Sequence, residues 1–145
     1  MERGMSHKIF QARHKVRGFE CDYYGHVNNA IYLNYLEFAR SEALEEAGLL
    51  LKDLKAAGTI VVLKEITLRY KFPAVFGDIL RIETRLKSYG RTSGVFFQQI
   101  FRENDDKLIA EAEVVWVVVN PEMRPMRIPE HIISPFLGEK SGEPS

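Results

Sequence analysis

The chain has 145 residues, of which 46% are hydrophobic, and this size and composition are typical of a single globular domain with a substantial buried core. Lys and Arg number 20, and Asp and Glu also number 20, so the formal net charge at pH 7 is zero. Because nucleic acids and acidic membranes bind proteins with an excess of basic residues, this balance argues against both as partners.

The sequence contains one cysteine, Cys21, which excludes an internal disulfide framework and a CxxC metal motif. The segment 1–10 has no apolar stretch typical of a signal peptide, and the longest apolar run, 114–119, is too short to cross a bilayer. The four histidines lack the spacing of metal ligands; they are His7, His14, His26 and His131. We therefore expect a cytoplasmic protein that binds no metal ion.

A strand is predicted near the start of the chain, because residues alternate in polarity over 10–17. A long helix is predicted over 29–47, since residues of one helical face recur there every three or four positions. This stripe consists of Tyr32, Tyr35, Leu36, Ala39, Ala43 and Ala47. Gly48 is suited to end the helix, and a second, short helix is predicted over 50–56.

Four further strands are predicted after Gly58, where the period of the pattern changes from about 3.6 to about 2 residues. They cover 60–72, 79–88, 94–103 and 107–119. In the first of them the apolar residues fall mainly at even positions, whereas the third alternates poorly and is expected to be covered on both faces. The short turn at 104–106 favours antiparallel pairing of the last two strands.

Together these elements predict an α+β fold in which a curved, five-stranded antiparallel sheet wraps around the long helix. The helix then buries its apolar stripe, and the sheet has one face covered. We expect one domain over 1–145, with its core at about 7–135 and a polar tail at 138–145. The outward face of the sheet, which includes the largely apolar segments 96–101 and 115–119, is expected to pair with another copy of the chain.

The loop 20–28, between the first strand and the helix, carries the residues best suited to chemistry. Backbone N–H groups at a helix start are unpaired and partly positive, so they can hold a carbonyl oxygen that gains negative charge during acyl transfer. The amide of Asn29 is the best candidate for this donor. Gly25 can turn the chain so that Asp22 faces the same carbonyl, where it can deprotonate a water or attack as a nucleophile. His26 can orient that water, bind the substrate or transfer a proton.

Each of these residues also has a purely structural interpretation. An Asp before a helix is commonly a cap, although Asn28 lies closer to the helical segment and is the more natural cap. A single His is more often a structural hydrogen-bonding group than a catalyst, and Glu37 and Arg40 can simply form an ion pair on the helix. The residues of the loop taken singly therefore do not identify a reaction.

The segment 22–40, DYYGHVNNAIYLNYLEFAR, resembles the motif of the hotdog-fold acyl-CoA thioesterases related to 4-hydroxybenzoyl-CoA thioesterase. The order of one strand, one helix and four strands extends the resemblance over about 7–135. The resemblance implies hydrolysis of an acyl-CoA to a free acid and coenzyme A, with Asp22 as base or nucleophile and the backbone amide of Asn29 polarising the thioester carbonyl. The matching positions are Asp22, Gly25, His26, Val27, Asn28, Asn29, Tyr32, Tyr35, Glu37, Ala39 and Arg40.

The resemblance also implies how the substrate is bound. Arg91, Thr92 and Ser93 match the place where related enzymes contact the phosphates of coenzyme A, although a solvated turn is the simpler interpretation of the two hydroxyl residues. Within the motif, the residues expected to contact substrate are Gly25, Asn28, Tyr32 and Glu37. Coenzyme A is part of the substrate, so no separate cofactor is expected. The protein is expected to form a homodimer or a homotetramer with active sites between subunits.

Two other functions stay open. A dehydratase or hydratase of acyl thioesters with the same fold would use a His and an acid at adjacent carbons; His26 is present for this, but the surrounding motif resembles those enzymes much less. A module that binds acyl-CoA without turnover would also keep the fold, and the retained Asp22 argues against it only weakly. The fold by itself decides none of these questions, because one fold hosts many activities.

Overall fold

The computed structural model describes residues 8–138 of the chain. The strands in this part are β1 (Phe10–Lys15), β2 (Ile60–Tyr70), β3 (Ile79–Tyr89), β4 (Ser93–Arg102) and β5 (Lys107–Val119). The helices are α1 (Ile31–Glu46), α2 (Leu51–Ala56) and α3 (Glu130–Ile133), with short 3-10 turns at Gly18–Glu20 and Ser134–Phe136. His7 and the predicted tail from residue 139 onward lie outside the described residues. No helix between residues 8 and 138 has the length and apolarity needed to cross a membrane.

The five strands form one sheet in the order β1-β3-β4-β5-β2, and every neighbouring pair is antiparallel. α1 packs against this sheet through its apolar stripe, and Leu36 at the centre of the stripe has no exposed surface. Full burial of one such side chain stabilises the fold by roughly 1.5–3 kcal/mol. The predicted α+β architecture, an antiparallel five-stranded sheet around one long helix, is therefore confirmed.

α1 begins two residues later than predicted, because an Asx turn precedes it. The Asn28 side-chain oxygen accepts a hydrogen bond from the Ala30 amide at 3.0 Å, and the Asn28 carbonyl accepts one from the Ile31 amide at 2.9 Å. The cap position is Ala30, so the prediction that Asn28 caps the helix is wrong; Asn28 lies two residues before the cap. At the other end the helix stops at Gly48 as predicted, and the φ of +77° there is a conformation that glycine adopts easily.

The alternation predicted for β2 is wrong in its first half, because a β-bulge interrupts the strand between Leu63 and Glu65. Before the bulge, Val61 and Leu63 border a groove beside α1, although both are odd-numbered. Beyond it, Ile66 and Leu68 pack against the core, as the even-position pattern predicts. β2 is also an edge strand, since β5 is its single neighbour in the described sheet.

The outward face predicted for 96–101 is wrong for half of its residues. β4 alternates strictly, so Phe96 and Ile100 are buried on the helix side of the sheet, whereas Phe97 and Phe101 lie half-buried on the other side. Arg85 and Arg81 cover these two outward rings, with guanidinium-to-ring distances of 5.1 Å and 4.8 Å. Aromatic residues therefore occur on both faces of this strand, because arginine side chains shelter the outer ones.

Candidate active site

The loop 20–28 folds into a small hairpin of its own. Cys21 and Val27 pair as an antiparallel bridge, and the Asp22 amide donates to the His26 carbonyl at 2.7 Å. Gly25 forms the turn with a φ of +80°, which side chains other than glycine rarely adopt. The Gly25 amide donates to the Asp22 carbonyl at 3.0 Å, which closes the turn. The sequence prediction that Gly25 reverses the chain after Asp22 is confirmed.

The segment 74–76, which connects β2 to β3, holds this hairpin against the fold. The Val27 amide donates to the Ala74 carbonyl at 2.9 Å, and the Phe76 amide donates to the Gly25 carbonyl at 3.3 Å. The Ala74 amide in turn donates to the hydroxyl oxygen of Tyr32 on α1 at 3.0 Å. The loop is therefore held by a segment that is itself bonded to α1, and its functional groups are held in place before a ligand arrives.

The Asp22 carboxylate has one oxygen occupied and one available. Its Oδ1 accepts hydrogen bonds from the backbone amides of Tyr24, at 2.9 Å, and His26, at 3.2 Å. Within residues 8–138 no hydrogen bond or ion pair reaches Oδ2. The side chain is exposed, so the available oxygen is accessible to a ligand.

The backbone amide of Asn29 is also available, whereas the amides around it are used. The Asn28 amide donates to the Glu20 carbonyl at 2.9 Å, and the Ala30 and Ile31 amides donate to Asn28. No acceptor for the Asn29 amide occurs in the described part of the chain. The Asn29 carbonyl accepts a hydrogen bond from the Tyr70 hydroxyl at 3.0 Å, so this peptide group is held from β2.

A cleft of about 260 Å³ brings four of the predicted site residues together: Asp22, His26, Asn29 and Tyr32. Burial raises the pKa of Tyr32, so this wall residue stays neutral. The opposite wall was not predicted from the sequence and comes from the end of β2 and the residues after it. It consists of Tyr70, Lys71, Phe72 and Pro73. The strand pattern of 60–72 indicates a sheet and gives no signal that its last residues face the loop.

Glu37 is not brought into this cleft. It lies on the exposed side of α1 and borders a second groove of about 140 Å³, together with Arg40, Leu63 and Trp116. No ion pair joins Glu37 to Arg40 in the described structure; Arg40 instead donates to the side-chain oxygen of Gln98 at 3.0 Å. Burial lowers the pKa of Arg40, and the charge of Glu37 counteracts part of this effect.

Arg91, Thr92 and Ser93 are also remote from Asp22 within one protomer. Arg91 and Thr92 occupy the turn between β3 and β4, and Ser93 begins β4. Arg91 borders a groove of about 400 Å³. β3 starts beside the loop and runs for 11 residues, so at roughly 3.3 Å per residue its two ends lie roughly 30 Å apart. One copy of the chain does not place these residues around its own Asp22.

Comparison with known proteins gives the family. Residues 16–136 match the thioesterase-like superfamily. The long-chain acyl-CoA thioesterase FadM of Escherichia coli is 36% identical over 110 residues, which cover 76% of this chain and 83% of FadM. The chloroplastic acyl-acyl carrier protein thioesterase ATL3 of Arabidopsis thaliana is 32% identical over 135 residues, which cover 93% of this chain and 70% of ATL3.

A solved structure supports the same assignment. The crystal structure of YbaW, described as a probable thioesterase of Escherichia coli, superimposes with a TM-score of 0.78 at 31% identity and covers 87% of this chain and 95% of YbaW. The antiparallel sheet around a central helix is the hotdog fold of these proteins. The chain belongs to the thioesterase-like superfamily, whose named members hydrolyse thioester bonds.

Proposed function

We propose that the protein hydrolyses the thioester bond of an acyl-CoA to a free acid and coenzyme A at the cleft beside Asp22. One observation carries this proposal: the available Oδ2 of Asp22 and the unpaired amide of Asn29 belong to residues that line the same cleft. The family membership supports thioester chemistry. Because relatives are named for both acyl-CoA and acyl carrier protein substrates, the choice of coenzyme A is part of the proposal.

In this mechanism the thioester carbonyl oxygen accepts a hydrogen bond from the Asn29 amide, which stabilises the negative charge that develops as the carbonyl carbon is attacked. Asp22 then acts in one of two ways. As a base, it takes a proton from the water that attacks the carbonyl carbon. As a nucleophile, its oxygen attacks that carbon itself and forms an anhydride, which water later cleaves. In both versions of the mechanism the carbon–sulfur bond breaks, and the departing thiolate takes up a proton.

The other residues of the cleft have supporting roles in this proposal. The side chain of His26 makes no hydrogen bond within residues 8–138 and lines the cleft, so it can orient the water or pass a proton to the departing thiolate. Tyr32, Tyr70 and Phe72 offer apolar surface for the acyl group or for the pantetheine arm.

We further propose that the working form is a homo-oligomer, a dimer or a tetramer. The edge strand β2 exposes Leu63 and Tyr70, at 46% and 51% of their surfaces, and leaves one side of its backbone without a neighbouring strand. If Arg91 contacts the phosphates of coenzyme A, it must come from a second copy, since it lies far from its own cleft. Light scattering coupled to size-exclusion chromatography should give at least twice the mass of one chain, and a monomer at assay concentrations would contradict this proposal.

Turnover of a panel of acyl-CoA substrates tests the proposed activity. We expect the purified protein to release free thiol from at least one aliphatic or aromatic acyl-CoA. Water addition to an enoyl-CoA without thiol release would indicate a hydratase instead. Thermal stabilisation by coenzyme A with no turnover of any substrate would indicate a binding module.

A further inference from the structure

A buried carboxylate lies beneath the loop 20–28 and is not used by the proposed chemistry. Glu20 is 8% exposed, and its Oε1 accepts hydrogen bonds from the Arg17 amide at 2.9 Å and from the Tyr35 hydroxyl at 2.8 Å. His14 Nε2 lies 3.0 Å from Oε1 and 3.1 Å from Oε2. A buried charge is costly unless it is fully hydrogen-bonded, and these partners satisfy that requirement.

The partners keep Glu20 ionised and Tyr35 protonated at neutral pH. Burial alone would raise the pKa of Glu20, but the hydrogen bonds from Arg17, His14 and Tyr35 outweigh this effect and hold the pKa below its ordinary value of 4.5. Burial and the neighbouring Glu20 carboxylate both raise the pKa of Tyr35, so its hydroxyl remains a donor. The hydrogen bond that the Tyr35 hydroxyl donates to the Glu20 carboxylate is thus charge-assisted, and it is stronger than one between neutral groups.

Glu20 connects the main parts of the site without lining the cleft itself. The backbone carbonyl of Glu20 accepts a hydrogen bond from the Asn28 amide at 2.9 Å. Asn28 in turn accepts the hydrogen bonds of the Ala30 and Ile31 amides, and the Asn29 amide stays available. Asp22 follows two residues later on the same strand of the hairpin. On the other side, the Tyr35 ring packs on that of Tyr32, a wall of the cleft, with 6.0 Å between ring centroids.

We propose that Glu20 is a positioning residue, which fixes the Asp22 carboxylate relative to the Asn29 amide by anchoring the loop to β1 through His14 and to α1 through Tyr35. This inference rests on the proposed function. Reacting groups must be held to within about 0.5 Å of their productive geometry, and a displacement of about 1 Å can cost roughly a hundredfold in rate. Loss of the Glu20 side chain should therefore slow the chemical step and affect substrate binding much less, because Glu20 does not line the cleft.

Tyr35→Phe is the sharpest test, because it removes one hydroxyl and keeps the ring. We expect kcat to fall roughly tenfold with KM changed by less than about twofold. Glu20→Gln keeps the shape of the side chain but removes its charge, and it should also lower kcat. The matched control is Thr84→Val, which removes a buried hydroxyl that accepts a hydrogen bond from Gln98 at 2.9 Å and that makes no hydrogen bond to the loop 20–28. It should lower thermal stability by a similar amount and leave kcat within about twofold of the wild type.

The NMR signal of the Asn29 amide gives a second measurement that does not depend on turnover. It should shift in Tyr35→Phe and stay unchanged in Thr84→Val. An active wild type with an unaffected Tyr35→Phe variant would overturn the positioning role alone. An equal loss of kcat in Thr84→Val would overturn it too, since general destabilisation would then explain the effect. A wild type that cleaves no acyl-CoA would instead overturn the proposed function, and with it this role for Glu20.

Discussion

Replacing Asp22 with Asn should lower the rate of thioester hydrolysis by roughly 10²–10⁴-fold, the range that a base in the transition state contributes. An amide neither accepts a proton from water at neutral pH nor attacks a thioester carbonyl effectively, so both versions of the mechanism lose their reacting group. The loop itself should survive, because the Asn oxygen can still accept the hydrogen bonds that Oδ1 receives from Tyr24 and His26. Steady-state release of free thiol from the best substrate of the panel measures the effect.

Asp53→Asn is the matched control for this variant, since it makes the same change of charge at an exposed site on α2. It should hydrolyse the substrate at the wild-type rate. Asp22→Ala is a useful third variant, because it also leaves the Tyr24 and His26 amides without their acceptor and should loosen the loop. If Asp22→Asn kept more than about a tenth of the wild-type activity, Asp22 would be neither the base nor the nucleophile.

The parts of the fold that follow from local periodicity could be predicted from the sequence. A strand alternates and a helix repeats every three or four residues, so β1, α1 and β3 can be located without knowledge of their neighbours. The juxtaposition of Asp22 and Asn29 was also predictable, because Asn29 directly follows the short loop that contains Asp22 and that Gly25 closes. Local chemistry determines these features.

Features that depend on distant partners could not be predicted in this way. The bulge between Leu63 and Glu65 arises from the pairing of β2 with β5, and the far wall of the cleft exists because Tyr70 reaches back to Asn29 across 41 residues of sequence. Nothing in either segment alone indicates these contacts. The hydrogen bond between Glu20 and Tyr35, 15 residues apart, was missed for the same reason.

The resemblance to a family has a different weakness. It indicates which positions related enzymes use, but it does not say which copy of the chain supplies each position. Arg91 and Glu37 were therefore expected at the site of Asp22, and in one protomer they border two other grooves. Arg91 and Glu37 can bind substrate at this site only if a second copy of the chain supplies them. The measured mass of the protein therefore tests the composition of the site as well as the oligomeric state.

Replacing Gly94 with Ala should lower the free energy of unfolding by roughly 2–3 kcal/mol, because the indole of Trp116 on β5 lies over Gly94 and leaves no room for a methyl group. An added Cβ would lie 2.3 Å from Cζ2 of Trp116 and 2.8 Å from its Cε2 and Cη2. The indole packs against Phe96, with 5.6 Å between ring centroids, so it cannot move aside freely. Gly90→Ala is the matched control, since no atom lies within 4 Å of its added Cβ, and it should cost less than about 0.5 kcal/mol. Urea unfolding of both variants measures the difference.

Combining Gly94→Ala with Trp116→Phe isolates the steric cause. Trp116 Nε1 is buried and has no acceptor among residues 8–138, so its replacement by Phe forfeits no hydrogen bond of the described structure and mainly makes space at the position of the clash. If the clash causes the loss, the cost of the double variant should be smaller than the sum of the two single costs by roughly 1 kcal/mol or more. Strict additivity would mean that Gly94 is required for another reason. A Gly94→Ala variant as stable as Gly90→Ala would mean that the sheet relaxes around the methyl group.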